Sequence, residues 1–421
     1  MPLVSAHFLS DEALRLEYGL PRALPPPRYR ARGAAAAAPS TLRDAAQQRG
    51  LYVGAAINQA CYSNASEPYA STFLAEYSLA TCENGCKFPA TEPQEGVFSY
   101  AECAFIGNAA LNVGKGAYRG HNFVWGESNP NWLLPLSATQ LKDAMRSHIG
   151  SLLSHFTNDS SLPPFLCWDT VNEAICDTGS KSFNCSDPAT LWKTNLWTPS
   201  GSGVQGGYVE NAFRFADAAN SQRLKLFYND YAVEAKGSPK SEKMYGMLKD
   251  MKGRGVPISG VGLQMHISVD GYPDPWEVAA NIKRLGDLGL EVHITCVCGC
   301  ARTPSSTFFL LPKITLLSTH TNTHAPHALL MYMYREMDVR CQKCDASRLD
   351  LQASIYGHML EACLNNSGVC KSFETWGFTD RHTWLSSFNN PSHEDVAPLP
   401  FGLNYEKKPA YFELLAVLSQ K

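Results

Sequence analysis

The stretch from Phe165 to Ala174 is apolar until it stops on an amide and an acid, Asn172 and Glu173. A buried parallel strand ending this way delivers both groups to the carboxyl face of its sheet, where barrel enzymes keep their chemistry. A carboxyl group placed there beside an amide is a candidate general acid. The plainer reading of the same residues is a helix N-cap followed by a solvated glutamate. Other apolar runs end in a similar way: Glu83-Asn84 with Lys87, His121 and Trp125 after Arg119-Gly120, Asn229-Asp230-Tyr231, Gln264 with His266, and Trp376. Either histidine alone would more often be a satisfied core residue. Together with Trp and Tyr, these amide, imidazole, ammonium and carboxylate groups suit a sugar, whose ring faces stack on aromatics while its hydroxyls take directional hydrogen bonds.

Such a set converges only if the strands that carry it lie side by side. Strand candidates run from Leu51 to Ile57, Leu79 to Thr81, Gly116 to Val124, Phe165 to Val171, Lys225 to Asn229, Gly260 to His266, Leu290 to Thr295 and Phe373 to Gly377. Helical spacing fills the intervals. Ser137 with Gln140 forms a capping box ahead of Leu141, Met145, Ile149 and Leu152, and Asp274-Pro275 supplies an N-cap acid with proline at the first helical position. Eight strands alternating with helices predict an α/β fold, a (β/α)8 TIM barrel over residues 49–421. Residues 1–48, with Pro25-Pro26-Pro27 and the alanine run from Ala34 to Ala38, read as a poorly structured N-terminal extension.

At 421 residues and 44% hydrophobic, the chain is long enough for such a barrel, and its formal net charge of -3 points away from nucleic acid or an anionic membrane. No apolar run reaches the roughly 18 residues of a membrane span. Asp11 and Glu12 stand where a signal peptide would be apolar, yet 14 cysteines and sequons at Asn64, Asn158, Asn184 and Asn365 point to the secretory pathway or the extracellular space. The close pairs Cys82/Cys86, Cys176/Cys185, Cys341/Cys344 and Cys363/Cys370 read as disulfides, with zinc ligation or buried thiols as the competing readings. A monomer is expected.

From about residue 50 onward the chain resembles the glycoside hydrolase family 10 endo-1,4-β-xylanases. The family's Thr-x-Glu-Asn-x-x-Lys appears as Thr81 to Lys87, its Arg-Gly-His-x-x-x-Trp as Arg119 to Trp125, and its Trp-Asp-x-Val-Asn-Glu as Trp168 to Glu173. Its Asn-Asp-Tyr is Asn229 to Tyr231, its Gln-x-His is Gln264 to His266, and its two late tryptophans are Trp376 and Trp384. The resemblance implies that Glu173 is the acid/base and Asn172 its helper. It also implies that Glu83, Asn84, Lys87, His121, Trp125, Tyr231, Gln264, His266, Trp376 and Trp384 bind a polysaccharide such as xylan. No cofactor or metal is expected. The chain departs from the family at Gly126-Glu127-Ser128, where Trp-His-Ser-Gln is usual after strand 3, and at Phe88, where Trp is common.

A retaining glycosidase needs a second carboxylate about 5–5.5 Å from the first. The family supplies it as Ile-Thr-Glu at the end of strand 7, but here Ile294-Thr295 is followed by Cys296. The expected continuation, Glu-x-Asp-Val, appears only at Glu336-Met337-Asp338-Val339, which makes Glu336 the implied nucleophile. The intervening residues 296–335 begin with alternating Cys and Val and later alternate Thr with His from Thr319 to His324. GT-rich and CA-rich nucleotide repeats would encode those patterns, so the segment reads as a translated intron. A zinc site drawn from Cys296, Cys298, Cys300, His320, His324 and His327 competes with this, although the spacing matches no standard four-ligand pattern. Two routes around the insert remain open: Leu290 to Thr295 stays in the barrel, or Leu329 to Tyr334 replaces it. The expected activity is that of a retaining endo-1,4-β-xylanase, with a xylan-binding pseudoenzyme as the alternative.

Overall fold

The computed structural model describes residues 41–113, 116–158, 165–176, 185–187, 192–193, 195–200, 207–221, 224–295, 339–341, 344–383, 385 and 396–420. Eight short strands form its centre: β1 (Tyr52–Ile57), β2 (Leu79–Cys82), β3 (Ala117–Trp125), β4 (Phe165–Asn172), β5 (Lys225–Asp230), β6 (Gly260–Leu263), β7 (Glu291–Ile294) and β8 (Cys370–Thr375). Each pairs in parallel with the next, and β8 pairs with β1 to close the barrel. Helices occupy the crossovers because parallel neighbours need a long return path. Both expected helix starts are present. Ser137 and Gln140 bond reciprocally, and Asp274 Oδ1 accepts from the Trp276 amide.

Several expected bounds shift. The last strand starts at Cys370, three residues before Phe373, and the sixth stops at Leu263, which leaves Gln264 and His266 just beyond the sheet. The packed chain starts before residue 49, since Leu42–Gln48 is a helix with Leu42, Ala45 and Ala46 buried and Thr41 capping it. Earlier residues lie outside those described. Of the two routes through strand 7, the barrel uses the first: Glu291–Ile294 pairs with β6 on one side and β8 on the other. Leu329 to Tyr334 and the zinc candidates from Cys296 to His327 lie outside the described residues.

One cysteine assignment is overturned. Cys86 bonds to Cys103 on the helix Ala101–Leu111, while Cys82 is a free, buried thiol. Sequence proximity misleads here because Cys82 ends a strand, whereas Cys86 lies past the turn and faces the neighbouring helix. Disulfides join Cys341 to Cys344 and Cys363 to Cys370 as expected, and Cys176 is disulfide-bonded too, although the side chain of Cys185 lies outside the described residues.

The barrel interior is charged. Arg119 on β3 gives Nε and Nη2 to Asp169 on β4, and its Nη1 lies 2.7 Å from Nδ1 of His293 on β7. Arginine only donates, so Nδ1 of His293 accepts and its Nε2 carries the proton. That proton goes to Glu291, 2.9 Å away. Burial raises the Glu291 carboxyl, but the hydrogen bonds from His293 and Lys225 outweigh it and bring the group down to about 2. Glu374 on β8 accepts from Thr81 and Ser372 and faces Arg119 at 3.8 Å.

Removing one partner of a buried ion pair leaves the other uncompensated, at a cost of about 3–5 kcal/mol. Asp169→Asn is therefore expected to lower stability by about that amount in denaturant unfolding. Arg119→Met with Asp169→Leu should lose much less than either single change.

Candidate active site

Glu173 follows β4 directly. Its backbone turns through φ 54, and its amide bonds to the Asn229 carbonyl, so its side chain rises from the carboxyl end of the barrel. Trp125, at the end of β3, donates its indole N–H to Oε2 at 3.1 Å, and Asn172 donates to Oε1 at 3.1 Å. Both carboxyl oxygens are thus engaged by fixed donors.

The orientation of Asn172 is itself determined. Thr295 donates to Asn229 Oδ1 at 2.6 Å, Asn229 Nδ2 donates to Asn172 Oδ1 at 3.0 Å, and Gln264 Nε2 donates to the same oxygen at 2.9 Å. Because the ionised Glu173 carboxylate can only accept, Asn172 must turn its N–H to it, which leaves Asn172 Oδ1 to accept from Asn229 and Gln264 and Asn229 Oδ1 to accept from the Thr295 hydroxyl. His266 completes the series: its Nε2 lies 2.7 Å from Gln264 Oε1, which can only accept, so the ring N–H sits on Nε2. Burial, aided by the Lys240 charge, holds His266 well below the ordinary histidine range. Gly262 makes room for the relay, since a Cβ there would fall 2.0 Å from Asn229 Oδ1.

Across the cleft, His121 Nδ1 lies 2.9 Å from Asp169 Oδ2. Burial lowers the imidazole to about 4 despite that carboxylate, so it is neutral and donates Nδ1–H to Asp169. Asn122 Nδ2 can then donate to Nε2 at 3.1 Å. The ring of Trp376 meets His121 edge-on at 5.4 Å, and the Lys87 ammonium lies 5.1 Å from the centre of the Trp125 ring. Lys87 also donates to Asn84 at 2.9 Å. Tyr231 lies 5.9 Å from the His266 ring, with the Lys240 ammonium 3.3 Å above its face. Glu83 is buried just past β2, its amide bonded to the Ile57 carbonyl.

Eleven of the thirteen expected site residues are therefore described, at the carboxyl ends of β2, β3, β4, β5, β6 and β8. Glu336 and Trp384 lie outside the described residues. The described chain stops at Thr295, whose amide bonds to the Leu263 carbonyl, and resumes at Val339, with the Arg340 amide on the Ile267 carbonyl. Asp169, Lys240 and Thr295 were not singled out from the sequence. Asp169 carried a signal, because a carboxylate between Trp168 and Thr170 in a buried strand needs a buried cation.

Glu83 generates a pH prediction. Desolvation raises its carboxyl to about 8, against the lowering effect of Lys87. The folded protein therefore keeps this proton between about pH 4.5, where an ordinary glutamate ionises, and about pH 8. Stability falls with pH wherever the folded state binds more protons than the unfolded. Relative to Glu83→Gln, the wild type should lose melting temperature across that window and then run parallel to it. Parallel curves throughout would mean an ordinary carboxylate.

Comparison with known proteins agrees with this geometry. The sequence model for glycosyl hydrolase family 10 matches residues 41–297 and 318–417. Endo-1,4-beta-xylanase B of Neocallimastix patriciarum is 30% identical over 371 residues, covering 87% of this chain and 34% of the relative, so the chain spans about a third of that protein. The crystal structure of native xylanase 10B from Thermotoga maritima superposes with a TM-score of 0.70 at 26% identity, covering 90% of this chain and 98% of that one. Xylanase 10B from Thermotoga petrophila, solved in complex with xylobiose, gives 0.70 at 25% identity over 91% and 98%.

Proposed function

The chain belongs to glycosyl hydrolase family 10, and from that premise we propose that it is a retaining endo-1,4-β-xylanase acting on internal bonds of xylan. The observation that carries the reading is the directed relay from Thr295 through Asn229 and Asn172 to Glu173. A general acid must be held in one orientation before substrate arrives, and both oxygens of Glu173 are so held. Glu173 protonates the leaving glycosidic oxygen while Glu336 attacks the anomeric carbon and forms a glycosyl-enzyme. Water, deprotonated by Glu173, then releases the sugar. Trp125, Trp376 and Tyr231 offer stacking faces, while Glu83, Asn84, Lys87, His121, Gln264 and His266 bond sugar hydroxyls. The step needs no cofactor. Disulfides and sequons support passage of the chain through an oxidising compartment.

Assignment of Glu336 rests on its motif and on the ends of the described chain. The anchoring carbonyls, Leu263 and Ile267, are four residues apart on the neighbouring segment. A chain joining Thr295 directly to Glu336 reaches Arg340 in five steps, enough to span that interval. Lengthening that connection by residues 296–335 costs about 3 kcal/mol of loop-closure entropy on general polymer grounds. The family match also breaks in this stretch, between 297 and 318.

Two experiments test the reading. Glu173→Gln should lower kcat on xylan by about 10²–10⁴ while aryl glycosides with good leaving groups lose less in the first step. Unchanged xylan hydrolysis would remove Glu173 from the role. A variant lacking 296–335 should hydrolyse xylan with retention, and the full chain about a hundredfold more slowly, as a misplacement of about 1 Å would cause. If that variant binds xylan without cleaving it, the enzymatic reading fails.

A further inference from the structure

Loops from the adjacent strands β1 and β8 meet at the carboxyl face in a group that the proposed hydrolysis does not use. His382 hydrogen-bonds Cys61, a half-buried thiol outside any disulfide, and its Nε2 lies 2.6 Å from Glu67 Oε2. Arg381 at 3.1 Å and the Tyr405 hydroxyl at 2.7 Å bind the same carboxylate oxygen. The Tyr69 ring meets His382 edge-on at 5.6 Å. Among the described residues, the one group of His, Cys and acidic side chains close enough to share an ion is Cys82, Cys86 and Cys103. Cys61 and Glu67 therefore do not converge on a single point as metal ligands would. With Nε2 committed to Glu67, Nδ1 is the ring nitrogen left to the thiol.

We propose that Cys61, His382 and Glu67 form a thiolate–imidazolium–carboxylate triad, a site of covalent modification by soft electrophiles and hydroperoxides beside the sugar cleft. The order nucleophile, base and orienting acid is the arrangement that activates cysteines generally. The charged and titratable neighbours favour the ion pair. The Cys61 hydrogen bond first, and that of Glu67 with it, raise the His382 imidazole above its ordinary range against the lowering effect of burial. Hydrogen bonds from His382 and Tyr405 bring the Glu67 carboxyl down to about 2, so it stays anionic opposite the imidazolium. Glu83 also feels the Cys61 charge but keeps its proton at neutral pH, and Arg381 adds a cation.

In the oxidation, the thiolate sulfur attacks one peroxide oxygen, forming an S–O bond as the O–O bond breaks. Sulfur loses two electrons, the peroxide gains them, and the departing oxide takes the His382 proton to leave as water or an alcohol. The product is a sulfenic acid beside Glu83. Cys82 and Cys167 provide internal contrast, because burial pushes the Cys82 thiol up to about 12 and raises Cys167 as well.

The full chain is alkylated with iodoacetamide from pH 5 to 9, and the rate at each cysteine is read by peptide mass. Cys61 should titrate with a midpoint below 7 and, at pH 6, react about tenfold faster than an unpaired thiol, once the lower nucleophilicity of a low-pKa thiolate is allowed for. His382→Asn should return the midpoint toward about 8.5. Glu67→Gln should raise it partway, which covers the case in which the histidine variant does not fold. Brief treatment with hydrogen peroxide followed by dimedone should label Cys61 and spare Cys82. A wild-type midpoint near 8.5, an unreactive Cys61, or reactivity indifferent to both substitutions overturns the triad. Alkylation at low pH without dimedone labelling overturns its reaction with hydroperoxides.

Discussion

A guanidinium enclosed by protein must find acceptors for its donors, and in this barrel that requirement organises the interior. Arg119 is 1% exposed, and its acceptors come from β4 and β7, with Glu374 of β8 facing it. An apolar interior would be cheaper to bury, because a charge pair seldom repays its desolvation. What the charges add is direction. Asp169, held by Arg119, can receive only the Nδ1–H of His121, and so fixes the tautomer of a ring that faces the cleft. His293, forced to accept from Arg119, must donate to Glu291 near the opposite end of the barrel.

The same logic, with neutral groups, governs the Glu173 carboxyl. Amides are ambiguous hydrogen-bonding groups, since either end can point either way. The Glu173 carboxylate, which only accepts, removes that ambiguity for Asn172; Asn172 Oδ1 removes it for Asn229, and Asn229 Oδ1 then accepts from the Thr295 hydroxyl. Asp230 anchors the start of the following loop by accepting from the Tyr228 hydroxyl, the Tyr231 and Ile175 amides, and the Lys240 ammonium at 3.0 Å. Side chains on β3, β4, β5 and the segments after β6 and β7 thus hold one carboxyl group. Their backbones are fixed by the parallel ladder, so the precision of the site follows from barrel closure.

Much of this was legible in the sequence, for a physical reason. Strands buried on both sides read as apolar runs, and each run stopped on polar residues that had no business in a core unless they lined a cleft. Glu173, His121 and Gln264 were found that way. The interior ion network was less visible because its members alternate with apolar neighbours inside the strands, so that Arg119 read as part of a strand end although it points below the site. Disulfide pairing was illegible for Cys86, since the chain distance to Cys103 says nothing of a helix returning alongside β2. The Cys61 thiol gave no signal, because its partner His382 comes from the far end of the chain. Only the closure of β8 against β1 makes them neighbours.

The position of the break after strand β7 separates folding from chemistry. Among the described residues, what the barrel takes from that strand precedes the break: ladder bonds through Glu291–Ile294, the imidazole of His293 against Arg119, and the hydroxyl of Thr295 at the far end of the amide relay. The return at Val339–Cys341 is independently anchored, with Val339 buried, its carbonyl receiving Gln352 at 2.7 Å, and Arg340 bridged to Ser268. The ladder bonds that close the barrel at β7, and the indole and amide donors to Glu173 from Trp125 and Asn172, all come from residues outside 296–335. A second carboxylate, by contrast, would enter the cleft only after that stretch. The carboxyl group proposed as the acid is thus held by the parallel ladder, whereas the carboxylate proposed as the nucleophile, Glu336, follows the break in sequence.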